Sequence, residues 1–265
     1  MAKESPRKRR SRRSRVNDAK RFKQNRGQGE RGSYIPWIWV TDFSPHSLKR
    51  RIPGVKIHRL YHVLSQLEAR VFYILESMPG VVDIREQFPL LPLIETVEIA
   101  RAKKIRHPKF NGIPTVRTTD FLVATESSTK AYSVKYRNAL TKRNLELIEI
   151  EREYWKRRGI KFVVVLETSI TRPQYKNAKR IRQFSKRPAC KIKDVQMIES
   201  LTEMAHPTLK TKQALRIIAN KFNERFMNVH HLFLHLLFTR QISLDLRKVF
   251  AIDSTTTDLC FQNRI

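Results

Sequence analysis

The chain is poor in cysteine, in acidic residues and in long apolar runs, and each shortage closes a class of reading. Cys190 and Cys260 are the only cysteines among 265 residues, too few for a disulfide framework or a four-thiolate zinc site. A reducing, intracellular setting is expected. No apolar run approaches the ~18 residues that a membrane-spanning helix needs. The basic start, MAKESPRKRRSRRSR, has no apolar segment behind its charges, so neither a signal peptide nor a membrane anchor is expected. Walker loops, glycine-rich dinucleotide motifs, nucleophile elbows and internal repeats are absent. Asp and Glu number 24 against 54 Lys and Arg, a net charge of +30. That field favours a polyanionic partner, nucleic acid first. A hydrophobic content of 40% is nonetheless enough for a real core.

Composition divides the chain into four parts. Residues 1–31 are rich in Arg, Lys, Ser, Gly and Gln and read as a basic flexible arm. In it Arg9, Arg10, Arg12, Arg13, Lys20, Arg21, Lys23 and Arg26 are candidates for phosphate contacts without sequence choice. Residues 32–169 carry the patterned elements of a catalytic domain, 170–193 read as a basic linker, and 194–265 as a second domain. RGSYIPWIWV opens the first domain. Trp37 and Trp39 suit packing on its surface better than stacking on DNA bases.

Leu64, Leu67, Val71, Phe72 and Leu75 recur at helical spacing, and Pro79-Gly80 ends the pattern. Glu68 interrupts that apolar face, four residues after Leu64, where an unpaired carboxylate is costly to bury. VVDIREQFPLLPL alternates and then runs into prolines, as a strand leading to a loop does. The stretch 94–117 reads as irregular, with Asn111-Gly112 as a turn. Strands are expected at 119–124 and 131–136, a helix at 145–158 ended by Gly159, and a buried strand at 161–167. Strand, strand, helix, strand indicates a mixed sheet flanked by helices. Helices dominate 194–240, and short strands follow, the layout of a winged-helix-like domain.

The 119–136 segment poses the chemical question. Its simplest hairpin register opposes Asp120 with Lys135, Phe121 with Val134 and Leu122 with Ser133. Phe121, Val123, Tyr132 and Val134 then share one apolar face, and Asp120, Ser133 and Lys135 share the other. Glu151 repeats the anomaly of Glu68, lying within the stripe of Leu147, Ile148 and Trp155. An acid and a lysine on a sheet, beside two carboxylates on apolar helix faces, are the parts of a Mg²⁺ phosphodiesterase. Mg²⁺ takes hard oxygen ligands and keeps waters, so one to three carboxylates suffice. A surface hairpin with one ion pair remains the alternative. His107 suits a phosphate contact or a turn end. His230, His231 and His235 lie at helical spacing but lack the glutamate of a metalloprotease motif.

RGQGERGSYIPWIWV, LSQLEARVFYILE, DIREQFPLLP, TTDFLV, SVKY, LELIEIEREYW and KFVVVLE resemble, in order, the TnsA family of transposon-end endonucleases. The resemblance implies a restriction-endonuclease-like catalytic domain and a C-terminal winged-helix-like domain. It implies metal-dependent cutting of transposon 5′ ends in a bacterial cytoplasm, on the nucleoid when assembled. TnsB-type transposase would cut and join the 3′ ends, and a TnsC-type AAA ATPase would dock on the C-terminal domain. Carried residue by residue, the family's helix glutamate falls on Glu68, its metal-binding aspartate on Asp120 and its lysine on Lys135. Glu151 falls on a family glutamate close to the site. Ser133 departs from the family's glutamine and reaches less far toward a metal or its water. The resulting expectation is Mg²⁺, with Mn²⁺ able to substitute, held by Glu68, Asp120, Ser133 and Glu151, with Lys135 positioning the attacking water. Two rival readings are a noncatalytic DNA-binding assembly factor and a free-standing restriction or repair nuclease.

Overall fold

The computed structural model describes residues 18–43, 49–247 and 250–261. Its first half is organised by a four-stranded mixed sheet in the order β3 (Val81–Pro89), β6 (Thr118–Thr125), β7 (Thr129–Lys135), β8 (Lys161–Leu166). β3 pairs with β6 and β6 with β7 antiparallel, whereas β7 and β8 run parallel. The parallel pair requires a crossover, which α4 (Lys142–Lys156) supplies. Thr141 caps α4 by accepting from the Asn144 amide. α2 (Gln66–Ser77) covers the opposite sheet face, its N-terminus capped by Ser65 Oγ at 3.0 Å from the Glu68 amide.

Both faces of the central strands β6 and β7 are therefore packed, whereas β8, expected to be a buried strand, lies at an edge of the sheet and is at most half-buried along its length. Phe121, Val123 and Val134 pack with Leu67, Val71, Phe72 and Leu75 of α2. Leu122 and Ala131 pack with Ile150, Tyr154 and Trp155 of α4. The β6–β7 register opposes Phe121 with Tyr132 and Leu122 with Ala131, two residues from the simplest hairpin. An even slip leaves every side chain on its expected face.

Several segments are more ordered than composition implies. Residues 94–117, expected to be irregular, contain most of α3 (Leu93–Ala102) and a two-stranded hairpin of β4 (Lys109–Phe110) and β5 (Ile113–Pro114) turning at Asn111-Gly112. A further hairpin pairs β1 (Arg50–Pro53) with β2 (Leu60–Val63). The expected arm ends earlier than residue 31, because Asp18–Lys23 form a short helix, α1, and residues 24–43 pack onto β3. Gly27 passes so close to Pro89 that an added Cβ would lie 2.3 Å from its ring, and its φ of 80° also favours glycine. Trp37 is fully buried, its ring edge-on to Phe22 at 5.0 Å.

The expected linker 170–193 is likewise built into the fold. It contains α5 (Arg172–Ile181), whose Ala178 joins the core under α2 and whose Ile181 joins the C-terminal core. Arg182 donates to buried Glu76 at 2.7 Å and to the Pro53 carbonyl, tying the two cores together. The C-terminal part is helical, with α6 (Asp194–Glu203), α7 (Thr211–Lys221) and α8 (Phe226–Phe238) around Leu215, Ile218, Leu232, Phe233 and Leu236. β9 (Ile242–Ser243) and β10 (Cys260–Phe261) form its small antiparallel sheet, and short helical turns occupy much of the segment between them. His230 and His235 are buried in α8, and His235 Nδ1 lies 2.8 Å from the Phe184 carbonyl, so this histidine set belongs to packing. No helix among the described residues is long and apolar enough to cross a membrane.

Two expectations follow from this packing. Ile181→Ala should cost about 2–5 kcal/mol in urea unfolding, since it empties a buried position of the C-terminal core. Burial, reinforced by Arg180 and His231, holds the His230 imidazole down at about 4. The unfolded chain binds that proton first, so stability should fall as pH drops from about 6.5 to about 4. His230→Phe should flatten that part of the thermal-midpoint profile.

Candidate active site

Asp120 lies where the β6–β7 ladder stops. The backbone pairing ends at Phe121 and Tyr132, and the Asp120 carboxylate takes the next amide instead, accepting from Val134 N at 2.6 Å. The same oxygen accepts from Lys135 Nζ at 2.8 Å. A side chain has thus replaced a backbone carbonyl in the ladder, which fixes the aspartate and the lysine relative to one another. Glu68 enters from the first turn of α2, 7% exposed, with its Oε2 accepting from Leu64 N at 2.8 Å and Gln87 Nε2 at 3.3 Å.

The charges at this site are not balanced by solvent. Burial, with the negative charge of Asp120 added, pushes the Glu68 carboxyl up to about 7. Burial works against the Lys135 ammonium, but Asp120, Glu151 and Glu68 together outweigh it and hold its pKa above the usual lysine value. Lys135 is therefore charged at neutral pH. It is a donor and an electrostatic partner here, with no lone pair for accepting a proton.

Glu151 is buried beneath the same sheet face and is engaged by Arg117, whose Nη2 donates at 2.7 Å. Thr119 Oγ1 adds a longer contact at 3.4 Å while accepting from Trp155 Nε1 at 2.7 Å. Burial pushes the Glu151 carboxyl up, opposed by Arg117 and Lys135. Ser133 is completely buried, and its Oγ has no hydrogen-bond partner among the described residues. It lies two residues before Lys135, on the strand face that carries Ala131 and Lys135.

Glu68, Asp120 and Lys135 thus interact directly or through the field of one site, with Ser133 and Glu151 beside them. The phosphate-contact candidates fare differently. Lys20 and Lys23 are exposed on or at the end of α1, whereas Arg21 and Arg26 are buried and engaged with carboxylates. Arg21 pairs with Asp18 at 3.1 Å, and Arg26 pairs with Asp42 at 2.6 Å while stacking 3.6 Å from the Trp39 ring centre. Those two arginines hold the N-terminal segment on the domain and do not present free guanidinium groups to phosphate. Arg9, Arg10, Arg12 and Arg13 lie outside the described residues. His107 is buried, with its ring nitrogens 3.1 Å from Thr96 Oγ1 and 3.0 Å from the Pro108 carbonyl, a structural post for its loop.

Two residues of the site were not singled out from sequence. Arg117 precedes Asp120 by three positions and reads as one cation among many in so basic a chain. Gln87 lies inside a strand-like run, where side-chain alternation gives no hint of its backbone, which has a φ of 48°.

A mixed sheet with flanking helices, carrying an acid–lysine pair on adjoining strands and a buried glutamate on a covering helix, defines a restriction-endonuclease-like domain. Residues 78–167 match the family described as TnsA-like endonuclease N terminal. The chain is also 38% identical over 161 residues to the transposon Tn7 transposition protein TnsA of Escherichia coli, an overlap that covers 59% of this chain and 59% of that protein. The chain thus spans about three fifths of the length of the curated relative it matches. The family segment contains Asp120, Ser133, Lys135 and Glu151, while Glu68 precedes it.

The raised Glu68 carboxyl has a measurable cost. In the unfolded chain it ionises near the ordinary glutamate value, and in the folded chain only near 7, so the fold loses stability as pH rises across that interval. Glu68→Gln should therefore stabilise the protein at pH 8 by on the order of 1–3 kcal/mol relative to its effect at pH 4. Denaturant titrations of both proteins at the two pH values measure the difference.

Proposed function

We propose that this chain is a metal-dependent DNA endonuclease subunit of a transposase, hydrolysing phosphodiesters at the 5′ ends of a transposon. The observation that carries the reading is the shared Asp120 oxygen, which pins Lys135 beside a carboxylate while Glu68 is held close enough to feel its charge. A surface ion pair needs no buried second carboxylate, whereas a phosphodiesterase does.

The residues fit Mg²⁺. The donors available are carboxylate oxygens of Asp120 and Glu68, with the unpartnered Ser133 hydroxyl nearby. No group of three or more His, Cys, Asp or Glu gathers as a metal cage among the described residues. Two carboxylates and a hydroxyl are hard oxygen donors, the kind taken by a cation that keeps several of its waters. When bound, Mg²⁺ would polarise the scissile phosphate and favour ionisation of the attacking water. Asp120 and Glu68 would hold the cation, and its positive charge would offset the burial and the repulsion from Asp120 that keep Glu68 hard to ionise.

Lys135, charged and anchored, would orient the nucleophilic water and stabilise negative charge developing on the phosphoryl oxygens. Hydrolysis would leave a 5′-phosphate and a 3′-hydroxyl. Glu151 is a weaker candidate for the metal because Arg117 already occupies one of its oxygens. The net charge of +30 supports DNA as substrate. A TnsB-type transposase supplying end recognition and 3′ cuts, and a TnsC-type ATPase docking on the C-terminal helices, complete the proposed assembly.

Strand-resolved cleavage of transposon-end DNA, with Mg²⁺ and the cognate transposase and ATPase, tests this function. The native chain should cut the 5′ strand. Asp120→Ala and Lys135→Ala should each lower that cutting by at least about 100-fold while 3′ cuts continue. Equal 5′ cutting by the variants would overturn the site assignment, and no 5′ cutting by the native chain in a competent assembly would favour a scaffold role.

A further inference from the structure

We propose that Gln87 is a positioning residue for the Glu68–Asp120 pair, held in place by the N-terminal segment. The inference rests on the metal-dependent reading above and deepens it. Gln87 lies in the interior of β3, directly across from Asp120, between the paired positions Glu86–Phe121 and Phe88–Thr119. Its φ of 48° is left-handed, a conformation uncommon for a residue that is not glycine. Strain of this kind costs on the order of 1–3 kcal/mol and persists only where the surroundings enforce it.

The consequence of the kink is a change of face. Residues two apart on a strand normally share a side. Here Phe121 packs under α2, and its partner Glu86 bonds Arg59 and the His62 amide on the β2 side. Phe88 instead lies tilted against Trp155 of α4 at 5.7 Å, and Thr119 accepts the Trp155 indole hydrogen. The β3–β6 ladder therefore rolls over between these pairs, and Gln87 and Asp120 are the two residues at the pivot. Asp120 is thereby freed from β3 to take the Val134 amide and the Lys135 ammonium.

Every polar group of Gln87 that has an assigned contact is used to fix this arrangement. Nε2 donates to Glu68 Oε2, and Oε1 accepts from Thr118 Oγ1 at 3.0 Å, which orients the amide. The backbone carbonyl, turned out of the ladder, accepts from Trp37 N at 3.3 Å. Gln87 is 2% exposed, so it does not contact DNA, and its side chain acts through Glu68. Trp37 in turn is fixed by the Arg26 guanidinium, which donates to its carbonyl at 3.2 Å. The wrap of residues 24–43 is thus a brace for the catalytic geometry.

The test is Gln87→Gly, which keeps access to the left-handed backbone and removes the side chain that bonds Glu68. Mn²⁺ binding should be followed by electron paramagnetic resonance, with thermal midpoints and single-turnover cleavage in the full assembly measured alongside. Loss of such a support should weaken Mn²⁺ affinity about 10-fold or more. The cleavage rate should fall at saturating DNA with no change in DNA affinity, and the thermal midpoints show whether the variant is folded under the assay conditions. Thr118→Val, which keeps the amide but releases its orientation, should give a smaller loss in the same direction. Wild-type Mn²⁺ affinity and rate in Gln87→Gly would overturn the proposal. Should that variant fail to fold, wild-type affinity in Thr118→Val would overturn it. Asp120→Asn separates the two levels: if it loses Mn²⁺ while both other variants keep it, Gln87 is no positioning residue but the metal site stands. If Asp120→Asn also retains Mn²⁺, the metal reading fails and the inference with it.

Discussion

A single carboxylate oxygen, Asp120 Oδ2, accepts both the Val134 amide and the Lys135 ammonium, and the rest of the site is arranged around that double contact. An acid–lysine pair on adjacent strands of an exposed hairpin would contribute at most a fraction of a kcal/mol to about 1 kcal/mol. Here α2 and α4 cover both faces, so the same charges interact through protein instead of water. Lys135 stays protonated because the nearby carboxylates outweigh its burial, and Glu68 resists ionisation because it is buried and Asp120 adds its negative charge. Asp120 is paired with Lys135 and Glu151 with Arg117, so Glu68 is the carboxyl of this group without a cationic partner at hydrogen-bond distance among the described residues.

Holding these charges in place requires rigid supports on both sides. α4 contributes Trp155, whose indole fixes Thr119 next to Asp120, and Glu151, which keeps Arg117 folded against the domain. α2 contributes Glu68 at its capped N-terminus, where the serine cap and the Leu64 amide restrain the carboxylate. The second, C-terminal core is not loosely appended. α5 shares residues with both cores, and the Arg182–Glu76 pair bridges them, so a load on the C-terminal helices has a packed route to α2.

Much of this was legible in the chain, and the reasons differ by element. Glu68 and Glu151 stood out because a charged residue inside a helical apolar stripe violates burial rules. Asp120 and Lys135 stood out because alternation puts them on one face, and the two-residue difference in register left that face unchanged. α3 and the ordered stretch 24–43 were hidden by proline, glycine and arginine, which bias local propensity away from regular structure while tertiary contacts override it. Arg21 and Arg26 show the limit of reading charge from composition: their guanidinium groups are consumed by Asp18 and Asp42. The left-handed turn at Gln87 has no periodic signature, since the residue type is ordinary and only its neighbours in space enforce the conformation.

The role proposed for Asp120 and Glu68 is to hold one divalent cation between them. Crystals of the protein grown with Mn²⁺ and measured for anomalous scattering test it directly. The account predicts an anomalous peak within ligand distance of both carboxylates, close to Lys135. A peak elsewhere with these two carboxylates unliganded, or a second carboxylate set around the ion that excludes Asp120, would contradict it.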